Sequence, residues 1–180
     1  MTETLKIITD EITGVLEQIR ESEITGLINE LSGERRVFVD GEGRSGFSAR
    51  GFAMRLMHLG YTVFFVGETI TPAVQKGDLF IAVSGSGNSM NVVQDAKRAK
   101  SRGAFVAAVT GKKDSPLTGI AEKVLIIPGT VRGDSGTERG SQQLLSSLFD
   151  QSLHIVLDAV CLMLSRRDHT ANETATAAHW

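Results

Sequence analysis

Short apolar runs alternate with helix-like stretches along most of this chain, and that alternation constrains the fold more than any other feature. Residues 36–39, 62–66, 79–83, 104–109 and 124–127 read as five buried strands. Residues 45–59 and 89–102 carry helical spacing between them, the first stopped by Gly60. Residues 115–121, opened by Ser-Pro, are predicted to form a short helix. Strands alternating with helices predict a parallel sheet covered on both faces, hence a three-layer α/β sandwich with five strands.

Two helical segments, 4–20 and 22–31, precede this core, and an apolar helix over 145–165 follows it. The expected organisation is one domain over 1–180: N-terminal helices to 33, an α/β core over 34–165 and a polar tail over 166–180. The last helix is apolar nearly all round, so it needs cover on more than one face. In a chain of 180 residues, a second subunit is the expected cover. The polar segment 129–143 is expected to be a mobile loop.

The formal net charge is -2, and no long basic run occurs, which argues against nucleic acid or an anionic membrane as partner. The sole cysteine, Cys161, leaves no intrachain disulfide and no cysteine-cluster metal site. No stretch reaches the roughly 20 apolar residues of a membrane span, and no signal peptide is visible. A soluble cytoplasmic protein is the expectation.

Two strand-to-helix turns carry the chemistry. Ser84-Gly-Ser-Gly-Asn-Ser89 follows the third strand and opens a helix. Free backbone N–H groups and the positive end of the helix dipole favour an anion there. Glycines admit a phosphate close to the backbone, and serine hydroxyls add donors. The plain alternative is a capped turn, with Ser89 as N-cap. Gly41-Glu-Gly-Arg-Ser-Gly46 matches G-x-G-x-x-G, and Glu68 lies further on, as in a dinucleotide fingerprint. Arg44 and Ser45, the second hydroxyl-rich loop and the short chain weigh against a dinucleotide. No Walker lysine is present: Gly111-Lys-Lys-Asp lacks the flanking residues. Both turns can face one ligand across a topological switch point.

The turn 41–46, the run Phe52-Ala-Met-Arg-Leu-Met-His-Leu-Gly60, the segment Gly67-Glu-Thr-Ile-Thr-Pro72, Gly77-Asp-Leu, the 84–87 loop, Asp114-Ser-Pro-Leu117 and Ser147-Leu-Phe-Asp-Gln151 together resemble the 6-phospho-3-hexuloisomerases. These are a branch of the sugar isomerase (SIS) domain family. The resemblance implies a flavodoxin-like sheet, a tetramer, and a cytoplasmic enzyme converting D-arabino-3-hexulose 6-phosphate to fructose 6-phosphate in formaldehyde assimilation or detoxification, the ribulose monophosphate pathway.

The same resemblance implies the roles. Ser84, Gly85, Ser86, Gly87, Asn88 and Ser89 would hold the phosphate, with Arg44 and Ser45 contacting sugar or phosphate from the other turn. Arg44 could instead form a structural salt bridge. Asp40 and Glu42 stand where this family usually has small residues, and their side chains are expected to point away from the anion. Moving a carbonyl between C3 and C2 needs one base and no metal or redox cofactor. The resemblance gives that role to Asp150, where the family has Glu. It gives a second role, in ring opening at a neighbour's site, to His179, with His169 as the alternative. A desolvated pocket would suit such a base by raising its pKa. Asp150 could otherwise complement the helix dipole. Two further readings stay open: a sugar phosphate-binding protein without turnover, and an isomerase of another sugar phosphate.

Overall fold

The computed structural model describes residues 2–179. Helices α1 (Glu3–Leu16) and α2 (Glu21–Glu30) lead into the core. Then come β1 (Val37–Gly41), α3 (Gly43–His58), β2 (Val63–Phe65), β3 (Leu79–Val83), α4 (Met90–Ser101), β4 (Phe105–Thr110) and β5 (Lys123–Ile126). Helices α5 (Ser147–Arg167) and α6 (Asn172–Ala177) close the chain. The five strands are all parallel in the order β2-β1-β3-β4-β5. That is the flavodoxin-like order, as expected from the sequence.

Side-chain alternation along the strands builds two cores. Val37, Val39, Leu79, Ile81 and Val83 point into a core shared with α1, α2, α3 and α5. Phe38, Phe80, Ala82, Val106 and Ala108 point the other way, against Val92, Ala96 and Ala99 of α4. Helix α3, after β1, and α4, after β3, therefore cover opposite faces. The carboxyl ends of these adjacent strands part at that point and leave a crevice.

Three expectations change. Residues 116–120 form turns rather than a helix. The Ser115 and Thr118 side chains bond locally to backbone, with Ser115 N–H reaching Thr118 Oγ1 at 3.0 Å, and so compete with a helical ladder. The tail contains α6, a short helix where the sequence predicts only a polar tail. Helix α5, at 21 residues and mean hydropathy 1.4, is long and apolar enough to cross a membrane. Its Phe149, Leu153, Val160 and Leu164 are wholly buried against the sheet and α3, which is the pattern of a core helix. Its outer face shows Ile155 and Leu162, 42% and 52% exposed.

Candidate functional site

Both glycine turns lie at the crevice between β1 and β3. Gly46 sits so close to β1 that a Cβ there would stand 2.5 Å from the Gly41 carbonyl oxygen. Only glycine lets α3 start hard against the strand, and this fixes Ser45 at the crevice. In the other turn, Gly87 has φ +66°, in the left-handed region, and a Cβ there would overlap Ser115.

The 84–89 loop is held from beneath. Gly111 N–H and Thr110 Oγ1 both donate to the Gly85 carbonyl, at 2.9 and 3.2 Å. Leu117 N–H donates to the Gly87 carbonyl at 3.2 Å, so the 116–120 turn buttresses the loop. Ser89 occupies the N-cap position of α4 but makes no capping bond; its hydroxyl pairs with that of buried Ser84 at 2.9 Å. Ser86 Oγ accepts from Asn88 N–H at 3.2 Å. The capping reading of Ser89 is thus not what its side chain does. The first-turn N–H groups of α4 stay available to an anion.

Across the crevice the first turn of α5 meets the first turn of α3. Asp150 is buried, 4% exposed, yet its carboxylate is well partnered. It accepts from Ser45 Oγ at 2.8 Å and from Ser146 Oγ at 2.8 Å, and Arg44 Nε lies 3.4 Å from Oδ2. Arg44 also donates to Ser147 Oγ at 3.3 Å. Ser45 is inside α3, not its N-cap, so its hydroxyl is free for this contact. Arg44 makes the salt bridge that the sequence leaves open, and its partner is Asp150. Sequence reasoning misses Ser146, an ordinary serine before the apolar helix; only the fold places it against Asp150.

Asp40 and Glu42 behave differently from each other. Glu42 does not point away from the anion loop: it accepts from Asn91 Nδ2, in the first turn of α4, at 2.6 Å. Asp40 does point inward, 6% exposed on the α4 side of the sheet. Its Oδ2 has no hydrogen-bond partner. Burial pushes its carboxyl up to about 6, with the negative charges of Asp95 and Glu42 adding to the shift against a bond from Gly41 N–H.

Within one chain, His179 is not brought to Asp150. Its ring packs on that of buried His58, centroids 5.1 Å apart, at the far end of α3. That helix places His58 about 20 Å from Ser45 at 1.5 Å per residue. Burial, then Arg55 and His179, hold the His58 imidazole below its usual range. His169 has φ +52° directly after the C-cap of α5, a helix-ending position. Among the described residues, no group of three or more His, Cys, Asp or Glu side chains could hold a metal ion.

This geometry has known counterparts. Residues 30–132 match the SIS domain. A 3-hexulose-6-phosphate isomerase of Mycobacterium gastri is 42% identical over 173 residues, 96% of this chain and 85% of that protein. One from Bacillus subtilis is 35% identical over 178 residues, 99% of this chain and 96% of that one. Among solved structures, a Methanococcus jannaschii protein whose structure was taken to infer 3-hexulose-6-phosphate isomerase function superposes with TM-score 0.82. It is 29% identical, and the match covers 99% of this chain and 98% of that one. With its parallel five-stranded sheet, its hydroxyl-rich loop after β3 and relatives of this similarity, the chain belongs to the SIS domain family.

Proposed function

We propose that this protein is an isomerase that interconverts D-arabino-3-hexulose 6-phosphate and fructose 6-phosphate. The observation that carries the reading is a buried carboxylate, Asp150, set by Ser45 across a crevice from a loop built for an anion. The near-full-length similarity to 3-hexulose-6-phosphate isomerases gives the substrate. The phosphate lies on the 84–89 loop, with Ser84, Ser86 and Ser89 hydroxyls and the N-terminus of α4 as donors. Gly85, Gly87 and Asn88 complete that loop. Arg44 and Ser45 face the sugar.

Asp150 takes the proton from C2 of the 3-ketose while O3 takes a proton from solvent, giving a cis-enediol whose O2 proton goes back to solvent in the second half of the reaction. The carboxylic acid returns the proton to C3, O2 loses its own, and the carbonyl stands at C2. One base and a phosphate anchor suffice, and no cofactor enters the step. A histidine of the tail, His179 or else His169, serves a neighbouring subunit's site in ring opening. The chain acts as a single SIS domain, with N-terminal helices over 1–33, a core over 34–165 and a tail over 166–180. We place it in the cytoplasm, in formaldehyde assimilation or detoxification.

The assembly is a homotetramer in this reading. Phe47 and Met54 on α3, and Ile155 and Leu162 on α5, are 75%, 49%, 42% and 52% exposed. Phe47 and Ile155 border a groove of about 520 Å³ that also reaches Asp150 and His154. A subunit covering that groove would exclude water from the base.

Fructose 6-phosphate incubated in deuterated water is the test. Exchange of the carbon-bound hydrogen at C3, lost in Asp150→Asn, is the expected result. No exchange by the unaltered protein or by Asp150→Glu overturns the reading. A second reading, sugar phosphate binding without turnover, draws on the three partners that hold Asp150. It predicts thermal stabilisation by fructose 6-phosphate with no exchange.

A further inference from the structure

We propose that Asp40 couples a proton to anion affinity at the 84–89 loop, because its buried carboxyl, with one oxygen left unpartnered, lies on the same face of the sheet as that loop. The proposal rests on the phosphate reading of the loop given above. Three placements carry it.

First, register. Asp40 is the cross-strand partner of Ala82, and Ser84 lies two residues beyond Ala82. Side chains two apart on a strand share a face, so Asp40 and Ser84 both point to the α4 side. Strand spacing and rise put their Cα atoms about 8 Å apart. Second, burial without compensation. Asp40 is 6% exposed and its Oδ2 has no partner, so its anion is disfavoured whatever the ligand. Third, the charges that act on it. Asp95, from α4, and Glu42, from the turn after β1, are both negative. Glu42 is drawn over the crevice by Asn91, while Asp95 is partly offset by Arg98 at 3.0 Å. The side chains of β1 and β3 that share this face, Phe38, Phe80 and Ala82, are apolar.

A phosphate on the loop brings a further negative charge over this carboxyl. Like charges that close favour the protonated acid. Since the Asp40 carboxyl already titrates near 6, a bound phosphate holds its proton toward neutral pH. Reciprocally, an ionised Asp40 weakens the anion's binding. The protein then binds its phosphorylated ligand with proton uptake, and affinity falls as the pH rises through the carboxyl's midpoint. Gly41–Gly46 and Ser84–Ser89 set the geometry of the site, whereas Asp40 sets how its affinity responds to pH.

Calorimetric titration of fructose 6-phosphate at pH 5.5 and pH 8, in two buffers of different ionisation enthalpy, tests this against Asp40→Asn. The substitution keeps the shape and removes the charge. The variant is expected to bind roughly threefold to tenfold tighter than the unaltered protein at pH 8, with a smaller difference at pH 5.5. It should also lose part of the proton uptake. The sugar phosphate's own titration is common to both proteins and cancels. Identical pH profiles and proton counts overturn this inference alone. Binding by neither protein overturns the phosphate reading, and this inference with it. Carbon NMR titration of the Asp40 carboxyl in the unaltered protein is the second measurement, independent of the variant's folding. Its midpoint is expected to rise when fructose 6-phosphate is added, and an unmoved midpoint with ligand bound overturns the inference.

Discussion

Two carboxylic acids are buried at the same crevice, and the fold treats them in opposite ways. Asp150 stands on the first turn of α5 with Ser45, Ser146 and Arg44 as partners. Asp40 stands near the end of β1 with an orphan oxygen and the negative charges of Asp95 and Glu42 pressing on it. Each oxygen of Asp150 has a hydroxyl donor and a guanidinium lies beside it, so its burial leaves no polar atom without a partner. A buried carboxyl without such donors is stabilised as the acid. Similar burial therefore gives one carboxyl with both oxygens partnered and one with an orphan oxygen.

The comparison breaks most severely at Asp150. Replacing Asp150 by Asn should lower kcat by roughly 10²–10⁴-fold, the usual contribution of a positioned base. The neutral amide keeps the size: one of Ser45 and Ser146 can still donate to its single oxygen while the other turns its hydroxyl to accept from the amide N–H, so the midpoint of thermal unfolding should move little by comparison. Isomerisation measured alongside melting decides the matter. Activity within tenfold of the unaltered protein would remove Asp150 from the chemistry.

Asp40→Asn should act in the opposite sense, on stability. Its carboxyl is raised from 3.8 to about 6 in the folded state. Between those values the folded chain holds more protons than the unfolded one, so stability falls as pH rises from about 4 to about 6 and then levels. The substitution removes that slope. A rise of this size corresponds to about 3 kcal/mol as an upper figure, so the variant should gain up to that amount at pH 8. Denaturant unfolding at pH 4.5 and pH 8 measures it. The same pH slope in both proteins would mean that Asp40 is solvated and the contrast with Asp150 is unreal.

One side of this contrast is legible in the sequence. The five strands, the two glycine turns and the apolar last helix follow from periodicity and glycine placement, because each is encoded locally, whereas the flavodoxin-like strand order follows from the resemblance. Ser45 and Asp150 can each be named, but not as hydrogen-bond partners, since they lie 105 positions apart and meet only when α3 and α5 pack. Ser146 carries no signal at all. Asp40 stands out only as an acid in an unusual place. Its burial depends on α4 packing on the face of the sheet to which Asp40 points, and nothing in the run Val37-Phe-Val-Asp-Gly41 reveals that. The 115–121 segment fails for the converse reason: Ser-Pro is a sound helix start, but local side-chain bonds and the packing of Ser115 on Gly87 select a turn.

Ser45 is the next place to sharpen the comparison. Half-buried in the 41–46 turn, it donates to Asp150 and so links the proposed base to that turn. Ser45→Ala removes one hydrogen bond to a charged group, an effect of about 1.5–3 kcal/mol in a buried setting. If the bond serves the reaction, kcat/KM should fall roughly tenfold or more with a smaller change in melting. A fall in melting temperature with unchanged kcat/KM would assign Ser45 to packing alone.

Arg44 should give the smallest effect, and its division between stability and binding is the informative part. The guanidinium is 58% exposed, and its Nε–Oδ2 distance to Asp150 is 3.4 Å. Water screens such a pair, so its contribution to folding is about 0–1 kcal/mol. Arg44→Gln should therefore melt within a few degrees of the unaltered protein. A guanidinium at the crevice mouth also attracts a phosphorylated ligand, and that attraction weakens with salt. KM for the sugar phosphate should rise severalfold at low ionic strength, and the difference between variant and unaltered protein should shrink as salt is added. A salt-independent loss confined to kcat would instead mean that Arg44 works by holding Asp150 in place rather than by attracting the ligand.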